Sequence, residues 1–312
     1  MASNESCDKL IKDGIELYNS NSFIKALDEF KRVLELCPND EKALLWKGKT
    51  DLVIGKLDEA IRTLRLSLTR SKDSTITAEA QFYLALSMFL YSFFSVERDK
   101  VLQIALSYIC DAKKKFKELK DEYFEDLAQW LENLILIESD KISSVASSES
   151  LMAPLSEIQK VYLDLKMEGF EGLIDRIYAV LYYFRDSKKN SSDIFFSSAY
   201  YPKLYLKQPF IDFMRDFLYV ILARTFVEGY GYYDEALFAL SKVSGGNVMR
   251  LLALLYKAQI YEEIGKKGLA CMSYSEILRT FNAPNVREKM ILLGCNLFLT
   301  RSRQKETLNK KY

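Results

Sequence analysis

Histidine is absent from all 312 residues. That removes the commonest general base, the Ser–His and Cys–His nucleophile pairs, and most zinc sites. Proline (five) and glycine (12) are scarce, which suits long helices joined by short turns. Neither sign of charge dominates. At a net charge of +1 there is no global basic field to recruit nucleic acid or an anionic membrane. The five cysteines, Cys7, Cys37, Cys110, Cys271 and Cys295, are odd in number and form no C-x-x-C. Reduced, partly buried thiols in an intracellular, cytoplasmic protein are expected. The first residues, MASNESCD, carry neither the basic nor the apolar region of a signal peptide. No Gly-rich phosphate loop and no metal-ligand spacing occurs, so neither a cofactor nor a metal is expected.

What the chain does have is apolar residues, 49% of the total, enough to core one large solenoid or two domains. The longest charge-free run is Ala80–Val96. It is near the lower length limit of a spanning helix, but Gln81 and its serines favour a buried helix, and no membrane span is expected.

The most informative stretch is Leu10–Pro38. Leu10, Gly14 and Leu17, then Phe23, Ala26, Leu27, Phe30, Val33 and Leu34, recur at steps of three and four. Each set therefore occupies one face of a helix. Tyr18–Ser22 lies between them with a turn composition, and Ser22 is placed to cap the second helix. Pro38 ends that helix. Gly14 and Ala26 are small where the two helices should cross.

This pattern resembles the tetratricopeptide repeat (TPR), W-x2-L-G-x2-Y, A-x3-F, P, with a period of about 34 residues. Leu10, Gly14 and Leu17 stand at the Trp, Gly and Tyr positions. Ala26-x3-Phe30 and Pro38 match, and Asp13 departs from the family Leu. Gly48 and Ala60 follow Gly14 and Ala26 by one period, with Leu44 and Leu64 in register and Asp51 at the Tyr position. Downstream, Ala236-x3-Leu240 and Ala270-x3-Tyr274 form a second pair, with Gly231 and Gly265 in the preceding turns. In the last repeat Leu254, Ala258 and Tyr261 fill the first-helix positions. One such hairpin cannot bury its own apolar face, so copies stack.

The resemblance implies an all-α fold, a right-handed α-solenoid of TPR-like helical hairpins, continuous or in two blocks. Residues 1–139 form the first block, with helices expected at Ala78–Phe94, Val101–Leu119 and Asp121–Ser139 after a polar turn at Asp73–Thr77. Residues 140–153 are a Ser-rich linker or a loop. Residues 154–312 form the second block, with helices at Leu155–Glu168 and Gly172–Asp186, a long first helix at Phe210–Gly229, and a capping helix over Val286–Thr300. Within it Ser187–Gln208 breaks the helical pattern and carries Phe195, Phe196, Tyr200, Tyr201 and Tyr205, either as a binding surface or tucked beneath the solenoid.

The resemblance also implies a non-enzymatic scaffold or adaptor whose first helices line a concave groove for a partner peptide or amphipathic helix. The groove positions are Ile11, Ile15, Tyr18, Leu45, Lys49 and Leu52 in the first block. In the second they are Ile221, Thr225, Glu228, Leu255, Gln259 and Glu262, apolar with an acidic edge suited to a basic partner. The other reading is that the apolar members meet neighbouring helices. Ile11 and Ile15 stand at carboxylate-clamp positions and Trp46 at that of the clamp Asn, so no clamp for a chaperone tail is expected. Two other classes rest on thinner features. Asp121, Glu122, Glu125 and Asp126 are the densest acidic cluster, usually a solvated face. The basic run Lys113–Lys120 is the best place for RNA, which would show as salt-dependent retention.

Overall fold

The computed structural model describes residues 2–139, 216, 217, 219, 220, 223, 224, 226, 227, 231–243 and 248–295. The expected linker at 140–153, the helices at Leu155–Glu168 and Gly172–Asp186, and the aromatic loop lie outside them. Every regular element among the described residues is a helix. Three hairpins come first: α1 (Ala2–Asn19) with α2 (Phe23–Leu36), α3 (Glu41–Val53) with α4 (Leu57–Arg70), and α5 (Ser74–Ser92) with α6 (Arg98–Leu119). Helix α7 (Glu122–Glu138) follows. Further on come α8 (Tyr233–Ser241), α9 (Val248–Glu263), α10 (Lys267–Thr280) and α11 (Pro284–Leu292).

From α1 to α7, and again from α8 to α11, each helix packs on the next, and each first helix of the early hairpins also meets the following one: α1 on α3, α3 on α5, α5 on α7. No pair among α2, α4 and α6 packs to that degree. The second helices therefore splay outward and the first helices form the inner row. This is an all-α solenoid of stacked hairpins with a TPR-like arrangement.

The crossings fall at the small residues. A Cβ on Gly14 would stand 2.6 Å from the Phe30 ring, and one on Gly48 2.5 Å from Leu64 Cγ. Ala26, Ala60, Ala236 and Ala270 are all fully buried. The turns repeat too. Asn21, Gly55, Gly231 and Gly265 all have positive φ. After Asn21, Gly55 and Gly265 the next amide reaches back to a carbonyl five residues earlier, as in Ser22 to Leu17 and Lys56 to Asp51, and after Gly231 the Tyr232 amide reaches Phe226. This is the left-handed turn that closes helix ends. Lys120 and Gly294 end α6 and α11 in the same way.

Several boundaries differ from expectation. Ser22 occupies the cap position, but its side chain makes no capping bond; the turn is set by Asn21 instead. Helix α5 starts at Ser74, because the Asp73 carboxylate accepts from the amides of Thr75 and Ile76. Asp121, from the acidic cluster, accepts from the Phe124 amide and caps α7. Pro284 does not only end the preceding hairpin. It sits in the first turn of α11, where its missing N–H costs nothing.

Residues 81–90 of α5 are all buried, because α3, α4, α6 and α7 surround the helix. That explains the charge-free run. No described helix is long and apolar enough to cross a membrane. The C-terminal hairpin docks on the N-terminal ones. The Phe94 and Phe281 rings meet edge to face at 4.9 Å, Leu251 packs against Gly55, and the Asn285 amide donates to the Phe93 carbonyl at 3.0 Å. One core cluster runs from Leu45 to Cys295.

The expectation of reduced cysteines is overturned for four of the five. Cys7 is bonded to Cys37 and Cys271 to Cys295, while Cys110 is free and exposed. An antiparallel hairpin sets the start of α1 beside the end of α2, a proximity that an odd count and wide spacing do not reveal.

Candidate protein-binding cleft

The first-block groove positions are closed. Ile11, Tyr18, Leu45, Lys49 and Leu52 are buried, and only Ile15 keeps partial exposure. Ile11 packs with Val33 and Ala43. Tyr18 meets Phe23 and Trp46 edge to face, each at 5.3 Å. The apolar trough is thus interior. Its side chains sit between successive first helices, which approach closely enough to leave no slot.

Lys49 is the unusual member, 5% exposed. Its ammonium is ion-paired with Glu79 of α5. It lies 4.1 Å from the Trp46 ring centroid and 4.6 Å from that of Tyr83, a cation–π arrangement. Burial lowers the Lys49 pKa, with the Glu79 carboxylate acting the other way. Burial, with Glu79 nearby, pushes the Tyr18 and Tyr83 phenols above the usual tyrosine range, so both stay neutral. This cluster ties α1, α3 and α5 together. Asp51, at the family Tyr position, is likewise interior and paired with Lys47 at 2.7 Å. Burial raises its pKa and Lys47 opposes the rise.

Open space lies instead where the first block meets α9. A cavity of about 280 Å³ is lined by Phe93, Leu255, Tyr256 and Gln259, with Ser95 and Asn285 at its polar side. Arg98 and Arg224 also line it, both paired with the buried carboxylate of Glu138. A second cavity of about 90 Å³ adjoins it, sharing Arg224, Tyr256 and Gln259 and adding Val227, Ile260 and Glu263. Two of the expected positions, Leu255 and Gln259, are therefore together here. Leu255 is buried and forms floor; Gln259 is partly exposed and stands between the cavities.

The expected acidic edge differs. Glu262 accepts the Tyr274 hydroxyl and is spent on the α9–α10 contact. Ile221, Thr225 and Glu228 lie outside the described residues. Sequence reasoning missed Phe93, Arg98, Glu138 and Tyr256. They come from a loop, two helix ends and a distant helix, and no local spacing links them. The basic run is partly engaged: Lys113 is ion-paired with Glu132 and bonds Gln129 at 3.1 Å. Cys110 is a poor nucleophile, its thiol pushed up to about 11 by burial and the Glu132 carboxylate. Among the described residues no group of three or more Cys, Asp or Glu could hold a metal ion.

No protein-family model matches the sequence, and no curated protein matches it. Among solved structures the chain is similar to the TPR2AB domain of yeast Sti1 in its complex with pHSP90. The identity is 14%, over 96% of this chain and 99% of that one, with a TM-score of 0.33. It is also similar to the TPR domain of P58(IPK), at 14% identity over 95% of this chain and 99% of that one, with a TM-score of 0.24. The TPR-like character of the fold rests on the pairing of helices within the chain itself.

Proposed function

We propose that this chain is a non-enzymatic protein–protein interaction scaffold that holds a partner helix or peptide in the cleft between Phe93 and α9. The observation that carries the reading is the cavity of about 280 Å³ at Leu255 and Gln259, open where the described groove positions of the first block are filled. Its walls pair Phe93, Leu255 and Tyr256 with amide and hydroxyl groups and with the Glu138-paired Arg98 and Arg224, apolar surface for an anchor and polar groups to orient it. Stacked hairpins suit the task because each contributes one rigid wall.

Affinity capture from the source cell, read by mass spectrometry, tests it. Gln259→Trp fills the cleft from a partly exposed position and should lower recovery of the partner at least about tenfold, the loss of one anchor contact. Arg65→Trp, on the exposed side of α4, should leave recovery unchanged, and both variants should keep wild-type helicity. Equal recovery with Gln259→Trp contradicts the reading.

A further inference from the structure

We propose that the Cys7–Cys37 disulfide is a reducible clasp that controls the docking of α1, and that Cys271–Cys295 resists reduction under the same conditions. The two bonds sit in different surroundings. Cys271 and Cys295 are both buried. Cys7 is buried but Cys37 is partly exposed, and Cys7, Cys37, Pro38 and Asn39 line a cavity of about 350 Å³. Thiol–disulfide exchange needs access to the attacked sulfur, and the partly exposed Cys37 offers more of it than the buried Cys271 or Cys295.

The step is a two-electron reduction by a dithiol. Its thiolate attacks Cys37 Sγ and the sulfur–sulfur bond breaks. Cys7 leaves as a thiolate and takes up a proton. The second thiol of the reductant then releases Cys37 as a thiol and closes the reductant's own disulfide. Asp8 and Asp40 also line the cavity, so a neutral dithiol is favoured over an anionic monothiol.

What the bond controls follows from where it lies. Cys7 is near the start of α1 and Cys37 is at the end of α2, so the clasp fixes the outer end of the first hairpin. The small cluster held there is Cys7, Ile11, Val33 and Ala43, separate from the main core. Releasing the clasp leaves that cluster to hold the outer part of α1, while Gly14 and Tyr18 keep its inner part on α2 and α3. Loosening of the outer part uncovers Val33 of α2 and Ala43 of α3.

The test uses the full chain in native buffer with graded dithiothreitol, followed by alkylation and peptide mass spectrometry. Cys7 and Cys37 should label at least about tenfold faster than Cys271 and Cys295. Amide exchange across residues 7–13 should rise at least about tenfold once they do, with α9 and α10 unchanged. The Cys7→Ser/Cys37→Ser protein should show the fast exchange without reductant. Equal labelling of both pairs, faster labelling of Cys271 and Cys295, or unchanged exchange in α1 after reduction would each overturn the proposal. None of these readouts depends on partner capture at Gln259.

Discussion

Lys49 and Glu79 make opposite demands on the molecule. Each charge is costly to bury, and each is tolerable only with the other present. Lys49→Met should destabilise the fold by about 3 kcal/mol, because the Glu79 carboxylate loses its partner. Lys49→Met/Glu79→Gln should recover most of that loss, as a double-mutant cycle by urea unfolding would show. The pH dependence has a definite sign. Burial holds the Lys49 pKa below its ordinary 10.5, so between the folded and unfolded values the unfolded chain binds more protons. Stability from this group therefore rises with pH through that window. The raised phenols of Tyr18 and Tyr83 act oppositely, lowering stability as pH passes the ordinary tyrosine value of 10.0. The gap in stability between wild type and Lys49→Met should accordingly widen as pH increases through the lysine window, and a flat gap would contradict the assignment. Gly48 is a simpler case. A methyl there meets Leu64 Cγ at 2.5 Å, so Gly48→Ala should cost about 1–3 kcal/mol, despite the better helix propensity of alanine.

At the scale of elements, the hairpins are defined as much by their ends as by their faces. Asp73 caps α5 through two amides, so Asp73→Ala should cost about 1 kcal/mol, measurable as a lowered denaturation midpoint with an unchanged slope. The crossings at Gly14, Gly48, Ala26 and Ala60 were legible in the sequence because a helix crossing demands a small residue at a fixed register. The matching turns at Gly231 and Gly265 were legible because glycine is the default residue where the chain turns through positive φ. Asn21 was harder to single out, because asparagine enters the left-handed region without the compositional signal of glycine. The pairing of Cys7 with Cys37 depends on the antiparallel return of α2 and could not be read from spacing. The first-block groove positions misled because periodicity assigns a residue to a face without saying whether the next helix covers that face. Tyr18 and Lys49 are covered because α3 and α5 bring Trp46, Glu79 and Tyr83 to them.

For the molecule as a whole, the joint between the early hairpins and α9–α11 decides the shape of the cleft. Phe281 meets Phe94 edge to face and also approaches Tyr91. Phe281→Ala should therefore cost about 3–5 kcal/mol and weaken partner capture along with stability, whereas Gln259→Trp should affect capture alone. The joint was invisible to repeat analysis, since Asn285 reaches Phe93 across 192 positions and no period connects them. The most direct measurement is hydrogen–deuterium exchange of the full chain, free and bound to its captured partner. Slowed exchange confined to residues 92–98 and 255–263 is the predicted result. Slowed exchange on α2 and α4, with those residues unchanged, would contradict a partner seated in the cleft.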